Sequence, residues 1–462
     1  MIGEKYKESE ERRGKREEKR KIFAFCAKIN YNSSFLIKNI MEQIKKPRGT
    51  LDILPEQTAA WQYIEKVIRK KCLEYGFGEI RFPTFEATEL FSRGVGDTTD
   101  VVQKEMYTFK DRDDRSLSLR PEGTACVVRS MLENGLYAGA MPLKLYYLTN
   151  FFRYEKPQAG RSREFFQFGT ELFGSESPAA DATVISLAYS VFKELGLESV
   201  VLHINSVGCP NCRPKYREAL VEYLGGYTDK LCPTCLERLN KNPLRVLDCK
   251  SPVCSEIAKN APKTTQHLCE DCKEHLDALT AILDAAEIPY VIDSGIVRGL
   301  DYYTGTVFEF IDQRIGAQST VCGGGRYDGL VAQLGGPQMS GVGFGMGITR
   351  LVACLETEDK LRKIETKPEI YLAPAEKDAA LPVFALCEKL RALGVRAETD
   401  LCSRSMKAQM KYGDKIGARY VAVIGGNELS TEKVTVKNME TGEKCEVLLT
   451  AADIAEAIKN DE

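Results

Sequence analysis

Arginine side chains stand among aromatic residues and glycines in several segments of this chain. Arg153 ends the hydrophobic run LKLYYLTNFFRYE, Arg298 lies in VRGLDYY, and Arg350 directly follows the run GVGFGMGIT. A guanidinium group matches two phosphate oxygens at once, so arginines in these settings indicate a site for a phosphorylated ligand. For any one of them taken alone, a surface or core salt bridge is the alternative.

Acidic and amide side chains supply a second kind of chemistry. Glu122 lies in RPEGT, and Gln167 precedes Glu171 by four residues in REFFQFGTELFG. In a strand this spacing places Gln167 and Glu171 on the same face. A carboxylate and an amide together on one face suit the ammonium group of a small zwitterion. Cross-strand pairing with lysine or arginine is the alternative.

Glycine occupies every second position from Gly341 to Gly347. Period two places these glycines on one face of a strand. A face without side chains predicts close approach of a flat ligand such as a purine, and tight sheet packing is the alternative. The chain contains neither a Walker A loop nor a Rossmann fingerprint, so the phosphate site is of another kind.

Eight of the 16 cysteines crowd into the segment from Cys209 to Cys272. A long chain without a signal peptide favours the reducing cytoplasm over a disulfide framework. GCPNC and LCPTC have the spacing of structural zinc ligands, which predicts Cys209, Cys212, Cys232 and Cys235 as ligands. Reduced free thiols are the alternative, and spacing alone does not tell which pairs share an ion.

Histidine is scarce, and the net charge is small. The three histidines lie outside the arginine and glycine segments, which argues against a catalytic triad or a histidine-ligated catalytic zinc. A net charge of -2 leaves any RNA contact to local basic patches. No apolar run approaches the roughly 18 residues that span a bilayer, so no membrane association is expected.

Several secondary structure elements must position these residues. Periodicity predicts a helix over 55–75, and GFGEIRFPTFE reads as a strand interrupted at Pro83. Residues 144–174 predict a hairpin with the loop KPQAGRS, and residues 178–195 predict a helix. From about residue 366, strands alternate with helices in a small α/β unit, which includes a basic helix near 404–416.

Taken in order, these segments resemble the three signature motifs of class II aminoacyl-tRNA synthetases. GFGEIRFPTFE resembles the first motif, FFRYE with REFFQFGTELFG the second, and GVGFGMGITRL the third. VRGLDYYTGTVFE and CGGGRYDGLV are similar to segments special to histidyl-tRNA synthetases, here of the bacterial type. The resemblance runs from about Arg48 to the C-terminus.

The resemblance implies a role for each matching residue at ATP. Arg153 and Arg298 are the implied catalytic residues and hold the α-phosphate, where Arg298 does part of what a metal does in related enzymes. Arg350 holds the γ-phosphate, and Glu155 and Arg161 complete the implied ATP site.

The resemblance also implies a histidine site, to which Arg153 and Arg298 contribute. Its α-amino end is implied to contact Glu122, Gly123, Thr124 and Gln167. Glu171 and Tyr303 are implied to hydrogen-bond the imidazole, with Tyr302 alongside. A pocket that satisfies both ring nitrogens rejects analogues that lack them.

The implied protein is a cytoplasmic homodimer that uses ATP, with Mg²⁺ on the phosphates, to join L-histidine to tRNA(His). Its α+β fold would comprise a class II antiparallel-sheet core over 41–205 and 285–365, a helical cysteine-rich insertion over 206–284, and an α/β anticodon-binding domain over 367–462. The densely charged residues 1–40 predict disorder or a solvated helix. We expect either a start at Met41 or a tail that touches RNA.

A paralogue offers the second interpretation. The regulatory subunit of ATP phosphoribosyltransferase resembles the same core and binds histidine as a signal, but it lacks the anticodon-binding domain and tends to lose the catalytic arginines. Arg153, Arg298 and Arg350 are all present here together with the last domain, which favours the enzyme. A pure RNA-binding module would leave the arginine, glutamate and glycine segments unexplained.

Overall fold

The computed structural model describes residues 43–96, 99, 101–158, 160–247, 249, 251–297, 302–316, 319–361 and 367–459. The predicted tail 1–40 and Arg298 lie outside the described residues. Contacts divide the chain into two compact units, of which the second comprises Leu54–Tyr63 and Leu361–Glu462. No helix of the described part is long and apolar enough to cross a bilayer.

An eight-stranded sheet forms the centre of the first unit, in the order β1-β5-β6-β11-β10-β9-β7-β8. Its strands are β1 Gly78–Glu79, β5 Leu143–Phe152, β6 Glu164–Phe173, β7 Val201–Ser206, β8 Tyr290–Ile292, β9 Thr304–Ile311, β10 Thr320–Arg326 and β11 Gly341–Gly347. The six central strands are antiparallel, and only the edge pairs β1–β5 and β7–β8 are parallel.

A three-stranded sheet and five α-helices belong to the first unit, and a further helix, α1, has residues in both units. The small sheet has the order β2-β4-β3, with β2 Phe85–Ala87, β3 Thr108–Lys110 and β4 Ser116–Leu119. The helices are α1 Pro55–Glu74, α2 Thr88–Val95, α3 Thr124–Glu133, α4 Pro178–Glu194, α9 Leu330–Gln333 and α10 Ile348–Thr357. Strands β3 and β4 flank the polar turn Asp111–Arg115.

Local sequence explains where α4 begins and ends. The Ser177 side chain accepts from the Ala179 N–H at 3.2 Å, and Pro178 takes the first position, where a missing N–H costs nothing. Gly196 follows the helix with a φ of +74°, a conformation that glycine adopts without steric penalty. The predicted helix over 178–195 is confirmed.

Four helices make up the cysteine-rich insertion: α5 Arg213–Gly225, α6 Pro233–Lys241, α7 Pro252–Lys259 and α8 Glu270–Ala285. The insertion leaves the large sheet after β7 and returns to it at β8. It has its own apolar cluster, in which Tyr216, Leu220 and Leu224 of α5 are fully buried. Because these side chains lie on one face of α5, the helix packs inward along one stripe.

The second unit carries a mixed sheet in the order β13-β12-β14-β15-β16. Its strands are β12 Ile370–Pro374, β13 Ala397–Thr399, β14 Tyr420–Ile424, β15 Lys433–Asn438 and β16 Lys444–Leu448. Its helices are α11 Ala380–Ala392, α12 Met406–Lys415, α13 Gly426–Thr431 and α14 Ala451–Lys459. The pairs β12–β13 and β12–β14 are parallel and the others antiparallel, as the sequence predicts for a mixed α/β unit.

Candidate active site

A cavity of about 550 Å³ opens on the large sheet, where Gln167 of β6, Gly323 of β10 and Gly345 of β11 form part of its wall. Ten of the predicted site residues line it: Glu122, Gly123, Thr124, Arg153, Glu155, Arg161, Gln167, Tyr302, Tyr303 and Arg350. Segments far apart in the sequence therefore meet in one place.

One end of the cavity is built on the N-terminus of α3. The two oxygens of Glu122 accept hydrogen bonds from the backbone N–H groups of Thr124 and Ala125, each at 2.8 Å. These amides have no partner inside the helix, and a carboxylate is also favoured by the helix dipole there. Burial raises the pKa of the Glu122 carboxyl, while the amides act in the opposite direction.

Glu171 lies fully buried at the same end, behind the residues that line the cavity. One of its oxygens accepts from Thr124 Oγ1 at 2.9 Å and from the Tyr147 hydroxyl at 3.4 Å. The other accepts from the Tyr327 hydroxyl. Burial raises the pKa of the Glu171 carboxyl to about 8, although the surrounding hydroxyls favour its charged form.

The alternating glycines of β11 admit side chains of the protein. Gly343 pairs with Glu171 across the sheet, and a Cβ at Gly343 would overlap the Glu171 carboxylate. A Cβ at Gly345 would lie 2.6 Å from Gln167 Nε2, and one at Gly341 would overlap the Tyr327 ring. Three of these glycines therefore make room for side chains of the protein. Gly343, Gly345 and Gly347 also line the cavity, so close approach of a flat ligand stays a prediction.

Two tyrosines of this end were not predicted as site residues. Tyr147 is buried, and a Cβ at either Gly123 or Gly169 would overlap its ring. Tyr327 lies with its ring 5.7 Å from that of Tyr302. Tyr327 falls in CGGGRYDGLV, which could have drawn attention to it, but nothing in the sequence brings Tyr147 and Glu171 together across a hairpin.

Guanidinium groups line the rest of the cavity wall, beginning with Arg153 beside Glu122. Arg153 Nε donates to the Pro121 carbonyl at 2.9 Å, and its guanidinium lies over the Phe165 ring at 5.3 Å. Arg350 Nε donates to the Gly160 carbonyl at 3.2 Å. Arg161 forms an ion pair with Glu155 at 2.8 Å. Burial lowers the pKa of Arg350, and so does the positive charge of the nearby Arg161. Several cations therefore lie close together in this part of the cavity.

The cavity wall thus has a carboxyl end around Glu122 and a basic end around Arg350 and Arg161, with Arg153 between them. A ligand with an ammonium group would bind at the first end, and a polyphosphate at the second. A carboxylate held between them would face the phosphate, which is the geometry required for acyl phosphate chemistry.

The eight insertion thiols form two clusters, each with its sulfur atoms within 4.8 Å of one another. We call Cys209, Cys212, Cys269 and Cys272 the inner cluster, and Cys232, Cys235, Cys249 and Cys254 the outer cluster. The four cysteines predicted as zinc ligands do not form one site, since Cys209 and Cys212 belong to the inner cluster and Cys232 and Cys235 to the outer. The folded insertion pairs the first knuckle with the last, a pairing that spacing does not encode.

Comparison with known proteins settles the family. The family described as histidyl-tRNA synthetase matches residues 49–211 and 244–351, and the family described as anticodon binding domain matches 369–461. The chain is 52% identical over 416 residues to the histidine–tRNA ligase of Caldanaerobacter subterraneus subsp. tengcongensis, over 90% of this chain and 99% of that protein. This chain belongs to the histidyl-tRNA synthetase family. The histidine–tRNA ligase of Clostridioides difficile is also 52% identical, over 88% of this chain and 97% of its own length.

Solved structures of histidyl-tRNA synthetases share the fold. The apo S. aureus enzyme superimposes with a TM-score of 0.76 at 39% identity. The match covers 90% of this chain and 100% of the S. aureus chain. The Nostoc enzyme, at 23% identity and a TM-score of 0.65, supports the fold alone. The predicted α+β class II synthetase fold is confirmed.

Proposed function

We propose that this chain activates L-histidine with ATP and transfers the histidyl group to tRNA(His), releasing AMP and diphosphate. The observation that carries the proposal is the cavity, in which Glu122, with Glu171 behind the wall, lies at one end, Arg350 at the other and Arg153 between them. Relatives that match nearly the whole chain bear the name histidine–tRNA ligase.

Histidine would bind at the carboxyl end. Glu122, Gly123, Thr124 and Gln167 would surround its α-ammonium group, and Glu171 with Tyr303 would hydrogen-bond the imidazole beside Tyr302. The buried hydroxyls around Glu171 support this role, because they fix the carboxyl in one orientation. A buried polar pocket of this kind rejects ligands that leave its groups unpaired.

ATP would bind at the basic end. Arg153 would hold the α-phosphate together with Arg298, whose role rests on the sequence resemblance, and Arg350 would hold the γ-phosphate. Glu155 and Arg161 would complete this site. The charge at this end would stabilise the α-phosphorus as the histidine carboxylate attacks it and diphosphate leaves.

The chemistry of the lining also fits a hard cation. Carboxylate oxygens of Glu155 and Glu309 line the basic end, and such oxygens are the ligands that Mg²⁺ accepts beside phosphates. When bound, Mg²⁺ would neutralise part of the triphosphate charge. In the second step the terminal ribose hydroxyl of the tRNA attacks the acyl carbon of the adenylate, so no side chain needs to form a covalent bond.

The second unit would recognise the tRNA. Lys407, Lys411 and Lys415 are exposed at four-residue spacing along α12, which places three cations on one helix face. Such a face suits RNA phosphates. We assign 367–462 to anticodon binding, 41–205 with 285–365 to catalysis and 206–284 to the insertion.

Two further features complete the proposal. The edge strand β1 carries the first motif and offers its outer side for pairing across a two-fold axis, which supports a homodimer.

The insertion thiols, none of which forms a disulfide in the described chain, would hold structural Zn²⁺ in the reducing cytoplasm.

Amino-acid-dependent exchange of diphosphate into ATP tests the activation step, with each of the twenty amino acids tried in turn. Exchange with histidine alone is the expected result. Histidine binding without exchange would favour the regulatory paralogue; a solved structure named for both that subunit and histidyl-tRNA synthetase, from Bacillus halodurans, is 25% identical with a TM-score of 0.61. Charging of tRNA(His) would then test the second step.

A further inference from the structure

The inner cluster has the dimensions of a tetrahedral metal site. Its sulfur atoms are 3.8 Å apart between Cys209 and Cys212, 3.7 Å between Cys209 and Cys269, and 3.9 Å between Cys212 and Cys272. Four thiolates bound to Zn²⁺ at about 2.3 Å lie about 3.8 Å from one another. A disulfide would require about 2 Å, so these thiols are arranged around a centre and not bonded in pairs.

The outer cluster repeats these dimensions. Cys232 and Cys249 have their sulfurs 3.9 Å apart, and the Cys232 backbone N–H points at Cys254 Sγ from 3.3 Å. The matching amide of the inner cluster is that of Cys209, 3.2 Å from Cys212 Sγ. Amide donors aimed at sulfur favour the thiolate, which is the form that binds metal.

The inner cluster lies at the base of the insertion. Cys209 and Cys212 follow β7 as the chain leaves the large sheet, and Cys269 directly precedes α8, which leads back to it. A bond through one ion would close a loop of 60 residues between Cys209 and Cys269. Closing a loop of that length restricts the unfolded chain and fixes both ends of the insertion on the sheet.

One set of hydrogen bonds leads from this base to the backbone at Tyr303, which lines the cavity. Arg213 directly follows Cys212, and its guanidinium donates to the Tyr303 carbonyl at 2.6 Å. The Gly208 carbonyl, next to Cys209, accepts from the Gly305 N–H at 3.1 Å. The backbone from the Tyr303 carbonyl to Gly305 is therefore held by residues adjacent to the inner cluster.

A second set leads from α8 to Glu171. His275, three residues after Cys272, contacts Asp181 at 3.1 Å. Asp181 is fully buried and receives the Arg326 guanidinium at 2.9 Å. The next residue, Tyr327, donates to Glu171. The first route ends on the backbone at Tyr303 and the second on the Glu171 side chain, and both residues belong to the proposed histidine pocket.

We propose that each cluster binds its own Zn²⁺, and that the inner ion is a clamp that positions the histidine pocket through Arg213 and through His275 with Asp181. The proposal rests on the proposed function only in naming histidine as the ligand of that pocket. The outer ion serves the fold of the insertion itself, whose apolar cluster contains Cys235 and Cys254. The insertion itself contributes Leu247, an apolar residue, to the cavity wall.

Metal content of the purified full-length chain tests the two sites. Mass spectrometry of the bound metal should find two zinc ions per chain, and one in either Cys209→Ser/Cys269→Ser or Cys232→Ser/Cys249→Ser. Replacement by Co²⁺ should give the absorption of tetrahedral thiolate sites in both double variants. Iron in place of zinc, or loss of all metal in one double variant while the other keeps both ions, would overturn two independent zinc sites.

Histidine affinity, measured by calorimetry without ATP, tests the clamp. The inner double variant should bind histidine about tenfold more weakly, with ATP affinity unchanged, while the outer double variant changes little. Cys272→His, with Cys209 and Cys269 intact, should retain both the zinc and the affinity, since imidazole is also a zinc ligand. Unchanged affinity after loss of the inner ion would refute the positioning role.

Arg213→Met separates the clamp from simple unfolding. This variant should keep two zinc ions and its melting temperature within a few degrees, yet bind histidine several-fold more weakly, because methionine cannot donate to the Tyr303 carbonyl. Normal histidine affinity in Arg213→Met would show that Arg213 does not position the histidine pocket. If the unaltered chain binds two zinc ions but no histidine, the proposed function fails while the two metal sites stand.

Discussion

The two ends of the cavity are built in different ways. At the carboxyl end, buried side chains satisfy one another, as Thr124, Tyr147 and Tyr327 all donate to Glu171. Towards the basic end, Arg153 and Arg350 donate to main-chain carbonyls, which carry no net charge. One end is a closed network with fixed geometry, and the other keeps its positive charge for a ligand.

This difference separates selection from catalysis. A network of buried, mutually satisfied groups discriminates sharply, because any change leaves a donor or acceptor unpaired. A cluster of cations stabilises phosphate charge wherever it develops, with less demand on shape. We therefore expect changes at the basic end to lower the rate and changes at the carboxyl end to weaken histidine binding.

Arg153→Ala should have the largest effect. Loss of the guanidinium implied to hold the α-phosphate should slow diphosphate exchange about a thousandfold, with a smaller loss of histidine affinity because Arg153 also adjoins Glu122. Arg153→Lys is the matched variant: it keeps the charge but loses the planar fork, and should recover only part of the rate. A large loss of histidine affinity without a rate defect would contradict the division between the two ends.

Glu171→Gln should act mainly on histidine binding. Above the pKa of about 8 the carboxylate accepts from all three hydroxyls and the amide cannot, so in assays above that pH we expect about a hundredfold rise in the KM for histidine and little change in that for ATP. Steady-state exchange at varied histidine and ATP measures this split. Equal effects on both substrates would show that the network is not confined to one end.

Comparison of the unaltered chain with Glu171→Gln also tests whether Glu171 is buried. The pKa of this carboxyl is raised from 4.5 to about 8 in the folded chain. The native state therefore holds the proton more tightly than the unfolded chain, and the free energy of unfolding should fall as pH rises from about 5 to 8. The urea midpoint of Glu171→Gln should not decline with pH as that of the unaltered chain does. Parallel plots of midpoint against pH for the two proteins would show that Glu171 is exposed to water.

Gly343→Ala tests whether the glycines of β11 serve the carboxyl end. Its methyl group would overlap the Glu171 carboxylate, and we expect about tenfold weaker histidine binding from the forced displacement. Gly347→Ala on the same strand is the control, since its Cβ would lie 3.7 Å from Arg350 in ordinary contact. Similar histidine affinities in the two variants would disprove the assignment.

Lys407→Ala and Lys411→Ala should give the smallest effects, and outside the cavity altogether. Each should weaken tRNA charging a few-fold and reduce the slope of tRNA affinity against salt by about 0.7, the value for one phosphate contact in a single strand. Diphosphate exchange should stay unchanged, because it needs no tRNA. A matched loss of exchange would show that these lysines act on the fold.

Elements with strong local signals were predictable from the sequence. The hairpin β5–β6 and the helix α4 lie where alternation, Pro178 and Gly196 place them. Spacing alone placed Gln167 and Glu171 on one strand face, and both belong to the carboxyl end. The glycines of β11 were recognised as a bare face, but not as space for Glu171 and Gln167, since their neighbour in the sheet is more than a hundred residues distant in sequence.

The amino-acid sequence by itself determined the family, the order of the elements and most residues of the cavity, because motif, period and capping signals act over a few neighbouring residues. Only the tertiary structure decided that Tyr147 and Tyr327 hold Glu171, and that Cys209 and Cys212 join Cys269 and Cys272 and not Cys232 and Cys235. Those partners are chosen by strand register and by where the insertion returns to the sheet. Both are products of packing over the whole unit, which local spacing does not record.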